Sequence, residues 1–541
     1  MPASRWAPKT PATLVVAASV WMATLGNLAL WRELDTLGLG WGLAVTLGAM
    51  IAALLAAIAS AFAWRWTLKP LLVFLIVAAA VGMHYMLSYR VVIDSTMMVN
   101  VVQTDRREAL GLVGWKLFFS LAWSAALPAW FVWRAPIEAW RPWPKQALRN
   151  AAMVGASLVV FAVVVLAQFQ PLASAMRNHK QLRYLLNPLN SLYAVADLAA
   201  HAVRRPPGPL QALGRDARAA TVPAGAKPVL LVLVLGETAR SANFSVNGYP
   251  RPTTPELARE DIASWRNAWS CGTSTAASLP CMFSHLGRED FDGRAADSEN
   301  LLDVLQHAGL AVLWVDNQAG CKGLCERVPN ASTSNEKDPQ LCAQGECLDE
   351  ILLKGLDARI EALPPERRAR GVVVVLHQMG SHGPAYSRRS PPAYKRFQPE
   401  CTSINLPDCS REQVVNAYDN SIAYTDHVLA SAIGWLRKES RYDTAMLYVS
   451  DHGESLGESN LYLHGMPYGI APDVQKHVPW ITWLSPGFGQ RSGIALECLR
   501  KRAGEHVSHD NYFHSVLGLV QVQTSAYDRA RDAYAACRPS P

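Results

Sequence analysis

The chain has 541 residues, half of them apolar and only 18% charged, with a formal net charge of +7. Its length and the crowding of apolar residues toward the front exclude one soluble domain. The positive excess is modest and much of it sits in loops on one side of that front, so it gives no ground for nucleic-acid binding.

Before residue 172 there are five apolar runs, at about 12–31, 41–63, 71–89, 115–133 and 151–170, each close to the ~20 residues a helix needs to cross a bilayer. Five spans predict a transmembrane domain over 1–171 whose ends lie on opposite sides. Arg5, Lys9, Arg65, Lys69, Arg134, Arg141, Lys145 and Arg149 mark one side. The alternate loops carry Arg32, Arg90, Arg106 and Arg107, diluted by Glu33, Asp35, Asp94, Asp105 and Glu108. The positive-inside rule makes the first set cytoplasmic and sends everything after residue 171 outside. The first run ends in bulky Leu30 and Trp31 with no small-residue cleavage site, so it reads as an uncleaved anchor. The spans hold few ionisable groups, His84 being the exception, which favours an anchor for an external domain over a transport path.

In the third loop Asn100, Thr104 and Glu108 recur every four residues, which on a helix stacks them on one face. Such a stripe at the external surface either grips a lipid headgroup ammonium or is a solvated helix face. Residues 172–205 mix apolar positions with Arg177, Lys180, Arg183, Arg204 and Arg205, and read as an amphipathic segment on the outer membrane surface, broken at Asn187-Pro188. A linker rich in Pro, Gly and Ala runs from Pro206 to Lys227, completing a bridging region over 172–227.

From residue 228 to 541 the pattern becomes α/β. Short apolar runs at 228–236, 311–315, 372–377, 445–450 and 478–484 read as strands buried on both faces of a mostly parallel sheet, separated by helical stretches such as 300–307 and 417–437. Glu237, Asp316 and Asn317, Gln378 and His382, and Asp451 and His452 follow successive strands, on the rim where open parallel sheets bind ligands. Glu237, Asp451 and His452 are candidate metal ligands, and Thr275 would complete a tetrahedral zinc site if its hydroxyl, or a phosphate on it, filled the fourth position. Thr275 sits in WSCGTSTAASLPC (269–281), where small residues suit the first turn of a helix whose amides would face an anion. A threonine hydroxyl is a poor nucleophile and no G-x-S-x-G elbow is present, so a cation replaces the general base. Read singly, Asp and His after a strand are ordinary turn residues and Glu237 is a helix cap.

All ten cysteines lie beyond residue 270, as neighbours at 271 and 281, 321 and 325, 342 and 347, and 401 and 409, with 498 and 537 left over. An even number confined to the external half predicts disulfides, although spacing does not fix their connectivity.

The strings GETARSANFSVNGYPRPTTP (236–255), CGTSTAASLPCMFSHL (271–286), HQMGSHGP (377–384), SDHGESLGE (450–458) and LHG (463–465) resemble the lipid A phosphoethanolamine transferases. That family includes the mobile colistin-resistance enzymes and belongs to the alkaline phosphatase and sulfatase superfamily. The resemblance implies five spans followed by a periplasmic sulfatase-like α/β domain in the bacterial inner membrane. It makes Glu237, Asp451 and His452 zinc ligands and Thr275 the residue that becomes phosphoethanolamine-modified. His382 and His464 match histidines that bind the transferred phosphate or a second zinc, and Lys322 matches a substrate-binding lysine. Asn100, Thr104 and Glu108 match residues implicated in holding the donor headgroup. His377 lies in a family motif without an assigned role. The implied reaction is zinc-dependent transfer from phosphatidylethanolamine to lipid A by a monomeric enzyme, with resistance to polymyxin as its consequence. The rivals are a phosphoglycerol or related phosphotransferase of the same superfamily, and a catalytically silent membrane sensor or scaffold.

Overall fold

Uncharged runs of Ala, Leu and Val favour helix in lipid, where each backbone N–H and C=O must find its partner within its own segment. The computed structural model, which describes residues 9–103, 112–138, 140–204, 208–333, 336–343 and 345–538, divides into two compact units, residues 1–99 with 113–201 and residues 100–112 with 202–541.

Among the described residues of the first unit, four helices are long and apolar enough to cross a membrane: Pro11–Thr36, Gly40–Ala61, Leu68–Tyr89 and Trp143–Ala167. Five were expected. The run at 115–133 is helical but comes in three pieces, α-helix Trp115–Leu121, a π turn Ala122–Ala126 and α-helix Leu127–Arg134. Pro128 is the physical reason. It has no N–H to give the Ser124 carbonyl, and the ladder slips so that Leu127 N–H bonds Ala122 O instead. The freed Ser124 carbonyl accepts the Trp21 indole N–H at 3.4 Å.

The bridging segment is interrupted at Asn187-Pro188, where the sequence predicts a break. It forms helix Phe169–Asn178, a 3₁₀ turn Lys180–Leu185 and helix Leu189–Arg204, with the Asn187-Pro188 pair marking the break. Asn187 itself is 1% exposed inside the first unit. Its amide N–H donates to Asn27 Oδ1 at 2.9 Å, and Asn27 Nδ2 returns a bond to Asn187 O at 2.6 Å. Asn187 Nδ2 donates to Gly26 O at 2.8 Å and Ala79 O at 2.6 Å, so one side chain joins two helices.

The second unit is built on an eight-stranded sheet: β1 Val229–Gly236, β2 Ile262–Trp269, β3 Ala311–Asp316, β4 Asn330–Ser332, β5 Val372–His377, β6 Asp443–Ser450, β7 His477–Leu484 and β8 Val507–Ser508. The order is β8-β2-β7-β6-β1-β5-β3-β4. Every pairing is parallel except those of β7, which runs against β2 and β6. β1 lies at the centre, its eight residues all buried as a run apolar on both faces requires. The expected strand at 478–484 therefore exists with reversed direction. β2 was not foreseen because its buried residues are separated by half-buried or exposed ones instead of running on. The helical expectations become Leu301–His307 and Arg411–Lys438, each opened by a capping box, at Asn300 and at Ser410. All ten cysteines are disulfide-bonded, four as the near-neighbour pairs and the fifth as Cys498–Cys537.

Candidate active site

β1 and β6 are neighbours in parallel register, Gly236 opposite Ser450, so the residues that follow them, Glu237 and Asp451–His452, emerge side by side. Ligand atoms of Glu237, Asp451 and His452 all lie within 4.8 Å of one another, and all three side chains are 0% exposed. The turn after Glu237 is forced. Thr238, β-branched, takes φ +53°, held by its N–H to Asp451 Oδ1 at 3.1 Å and by Tyr418 OH donating to its carbonyl at 2.6 Å. Gly380 lets the loop after β5 lie on this turn, since a Cβ there would come within 2.6 Å of Glu237 O.

The Thr275 side chain reaches the same place from helix Thr275–Met282. Its hydroxyl donates to Glu237, with Oε1 at 3.2 Å and Oε2 at 3.0 Å. Gly272 permits the approach, because a Cβ there would meet Ala277 Cβ and Ser278 N at 2.8 Å. The first helical bond runs from Ala277 N–H to Ser274 O, so the amides of Thr275 and Ala276 stand ahead of the ladder beside the hydroxyl.

His452 Nδ1–H donates to Gly453 O at 2.8 Å, which leaves the Nε2 lone pair facing Glu237 Oε1 and Asp451 Oδ2, each at 3.3 Å. Asp451 Oδ1 is satisfied by the His452 and Thr238 amides, whereas Asp451 Oδ2 and His452 Nε2 are buried without a hydrogen-bond partner. Two buried electron-rich atoms without donors, converging beside the Glu237 carboxylate, require a positive charge between them. The electrostatics agree. Burial and the Glu237 charge push the Asp451 carboxyl up to about 7. Burial disfavours a charged His452, yet Asp451 and Glu237 lift it to about 10. Burial works to raise Glu237, but His452 beside it holds that carboxyl below its ordinary value. Two carboxylate oxygens and an imidazole nitrogen with a backbone carbonyl behind it form a donor set suited to a divalent cation such as zinc.

Around this cluster, the His464 ring lies tilted 4.3 Å from that of His452 and edge-on 5.4 Å from that of His382, ring centre to ring centre. His464 Nδ1 bonds Glu454 at 3.2 Å, and burial holds the ring below the usual histidine value. His377, the last residue of β5, pairs through Nδ1 with Asp316 Oδ2 at 3.0 Å, and the Trp314 indole donates to that same oxygen. Lys322 behaves differently: its Nζ leaves the loop closed by Cys321–Cys325 and donates to Ala319 O at 3.3 Å, three residues back along the chain. Asn100 lies on helix Ser95–Gln103, while Thr104 and Glu108 lie outside the described residues.

Sequence reasoning passed over Glu454, Ser450 and His509. Glu454 stands two residues after His452 and was readable as a further carboxylate in the same string. Ser450 and His509 act through hydrogen bonds to backbone from distant segments, for which no spacing gives a signal.

The sulfatase family matches residues 230–522, and a family described as phosphoethanolamine transferase EptA/EptB matches residues 51–203. The chain is 41% identical over 470 residues to phosphoethanolamine transferase EptA of Salmonella typhimurium, covering 86% of this chain and 85% of the relative. It is 37% identical to the phosphatidylethanolamine transferase Mcr-1 of Escherichia coli, over 89% of this chain and 91% of that protein. The structure of lipooligosaccharide phosphoethanolamine transferase A from Neisseria meningitidis superposes with a TM-score of 0.93 at 33% identity, covering 99% of this chain and all of the other.

Proposed function

Since the chain belongs to the phosphoethanolamine transferase family, we propose that it moves phosphoethanolamine from phosphatidylethanolamine onto Thr275 and then to a phosphate of lipid A. The observation that carries this reading is the Thr275 hydroxyl donating to Glu237 beside a triad with two unpartnered, buried ligand atoms. Glu237, Asp451 and His452 would hold zinc, with Thr275 or a phosphate on it as the fourth donor. When bound, the ion supplies Lewis acidity that lowers the pKa of a ligated oxygen and offsets charge on phosphate.

The chain's own residues do the rest. Thr275 Oγ1 attacks phosphorus as its proton moves toward Glu237, the bond to the diacylglycerol oxygen breaks and that oxygen takes up the proton, so that neutral diacylglycerol leaves and phosphoethanolamine stays on the threonine. The amides at the helix start face the phosphoryl oxygens. An oxygen of the lipid A phosphate then attacks the same phosphorus, the bond from phosphorus to Thr275 Oγ1 breaks, and the proton of the acceptor phosphate passes to Oγ1 and restores the hydroxyl. His464, its Nδ1 tied to Glu454, and its neighbour His382 would hold the phosphate or a second zinc. Lys322 contacts substrate. Asn100, Thr104 and Glu108 hold the donor headgroup. This arrangement has a cytoplasmic N-terminus and a periplasmic catalytic domain, with residues 115–134 crossing the inner membrane as a fifth, broken helix. The enzyme acts as a monomer. The amine it adds offsets negative charge on the bacterial surface and weakens the hold of polymyxin and other cationic peptides.

Mass spectrometry of the Thr275 peptide after incubation of the full-length chain with phosphatidylethanolamine tests the reading. A phosphoethanolamine adduct is the expected result. A phosphoglycerol adduct from the corresponding donor would move the enzyme to a sister activity, and no adduct on intact, zinc-loaded protein would end the proposal.

A further inference from the structure

The loop carrying Thr275 and the loops carrying Glu237 and the Asp451–His452 pair come from three distant parts of the chain, and one side chain outside them bonds the first directly to Ser450, where the other two meet. Ser508, on β8, pairs with Trp269 of β2. Its hydroxyl accepts from Asp510 N–H at 3.2 Å while Asn511 Oδ1 accepts from Ser508 N–H at 2.8 Å, a capping box that turns the chain and presents His509. The His509 ring is 1% exposed. Its Nδ1 accepts the Cys271 amide N–H at 3.2 Å, so the ring proton is on Nε2, which donates to Ser450 O at 3.0 Å. Burial keeps the ring neutral, down to about 3, which preserves that tautomer.

Both ends of this link are tied into the site. Cys271 precedes Thr275 by four residues and is disulfide-bonded to Cys281 within the Thr275 helix, so its amide is fixed to the helix at both ends of the loop. Ser450 immediately precedes Asp451. Its hydroxyl accepts from Ala239 N–H at 2.8 Å, in the turn after Glu237, and donates to His452 O at 3.1 Å. The metal-side loops therefore meet at Ser450, and His509 couples Ser450 to the nucleophile loop.

We propose that His509 is a positioning residue that sets the distance between the Thr275 hydroxyl and the Glu237–Asp451–His452 triad through its two opposed ring nitrogens. This rests on the reading of Thr275 as nucleophile. Each half of the link can be cut separately. His509→Gln sets an amide N–H where Nε2 stood, keeping the donor to Ser450 and losing the acceptor for Cys271. His509→Asn sets a carbonyl oxygen where Nδ1 stood, keeping the acceptor and losing the donor.

The measurements are made on the full-length chain in detergent with phosphatidylethanolamine: the first-turnover rate of adduct formation at Thr275 with saturating zinc, zinc retained against a chelator, and the melting temperature. His509→Gln should slow adduct formation roughly tenfold with KM for the donor and zinc retention unchanged, and His509→Asn should slow it comparably and in addition weaken zinc retention roughly tenfold, because it frees Ser450 beside the triad. Ser508→Ala, which loosens the cap but leaves the ring, should repeat the His509→Gln slowing at smaller amplitude and serves if His509→Gln does not fold. Parallel loss of rate, zinc and melting temperature in both variants, or no loss in either, overturns the positioning role. Absence of any adduct on the unsubstituted chain would instead overturn the nucleophile reading, so the two failures are separable.

Discussion

Each of the two units buries a polar cluster in apolar surroundings, and the two clusters close their hydrogen bonds differently. At the Asn27–Asn187 crossing the donors find acceptors across the helices, and the one oxygen left over, Asn187 Oδ1, rests where a Cβ on Gly82 would come within 2.7 Å. At the sheet rim the opposite holds: Asp451 Oδ2 and His452 Nε2 face the centre of the cluster with nothing to bond. A closed cluster fixes helices to each other, which in lipid is its main use. An open one is costly unless a further group completes it, so the rim reads as a site and the crossing as a joint.

The largest effects should come from the open cluster. Thr275→Ala should lower transfer at least about 10³-fold while zinc content stays near that of the unsubstituted chain, because the triad supplies three of the four donors. His452→Ala should lose transfer and zinc together, measured by elemental analysis of the purified chain. A His452→Ala protein that keeps stoichiometric zinc would place the ion elsewhere, and the contrast between the two clusters would lose its meaning.

How much of this contrast could be read beforehand depends on how far each residue acts. Glu237, Asp451 and His452 were legible because they directly follow runs apolar enough to be central parallel strands, and register does the rest. The cysteine pairs were legible because they lie close in sequence. Asn187 was not, since an Asn before Pro signals only a helix break, and its partners lie 160 and 108 residues away. His509 was hidden for the same reason, 238 residues from Cys271. The fourth apolar run was readable as helix, but its π turn follows from the missing amide of Pro128 meeting a neighbouring indole, a tertiary event. The direction of β7 was also out of reach, because a short apolar run is the same read either way.

A third cluster sharpens the comparison at intermediate size. His514, buried, is closed like the crossing: Nδ1 accepts Asp528 N–H at 3.0 Å and Nε2–H donates to His285 O at 3.2 Å. Burial pushes its pKa down from 6.5 to about 4. The unfolded chain then binds more protons than the folded one between those values, so stability rises with pH across that window. Above about 6.5 the contribution is constant. As pH falls toward about 4 the fold should lose on the order of 3 kcal/mol from this residue. Denaturant unfolding of the full-length chain at pH 7.5 and pH 5 measures the slope, and His514→Gln, which cannot titrate, should flatten it. A His514→Gln chain with the full acid sensitivity would assign the loss to other groups.

The smallest effect is expected at the crossing. Asn27→Ala removes the acceptor for the Asn187 amide and the donor to Asn187 O, leaving a buried N–H and C=O to find other partners. Interhelical hydrogen bonds in lipid contribute only about 0.6 to 2 kcal/mol, because the separated helices also find partners. Unfolding in mixed micelles should therefore show a loss of about 1 to 2 kcal/mol, while transfer by the molecules that remain folded stays within about twofold. Gly82→Ala approaches the same joint from the other side, forcing a methyl against Asn187 Oδ1, and should cost about 1 to 3 kcal/mol with transfer again preserved. Should Asn27→Ala abolish transfer in fully folded protein, the crossing would be an open cluster after all, one whose completing group is the lipid substrate.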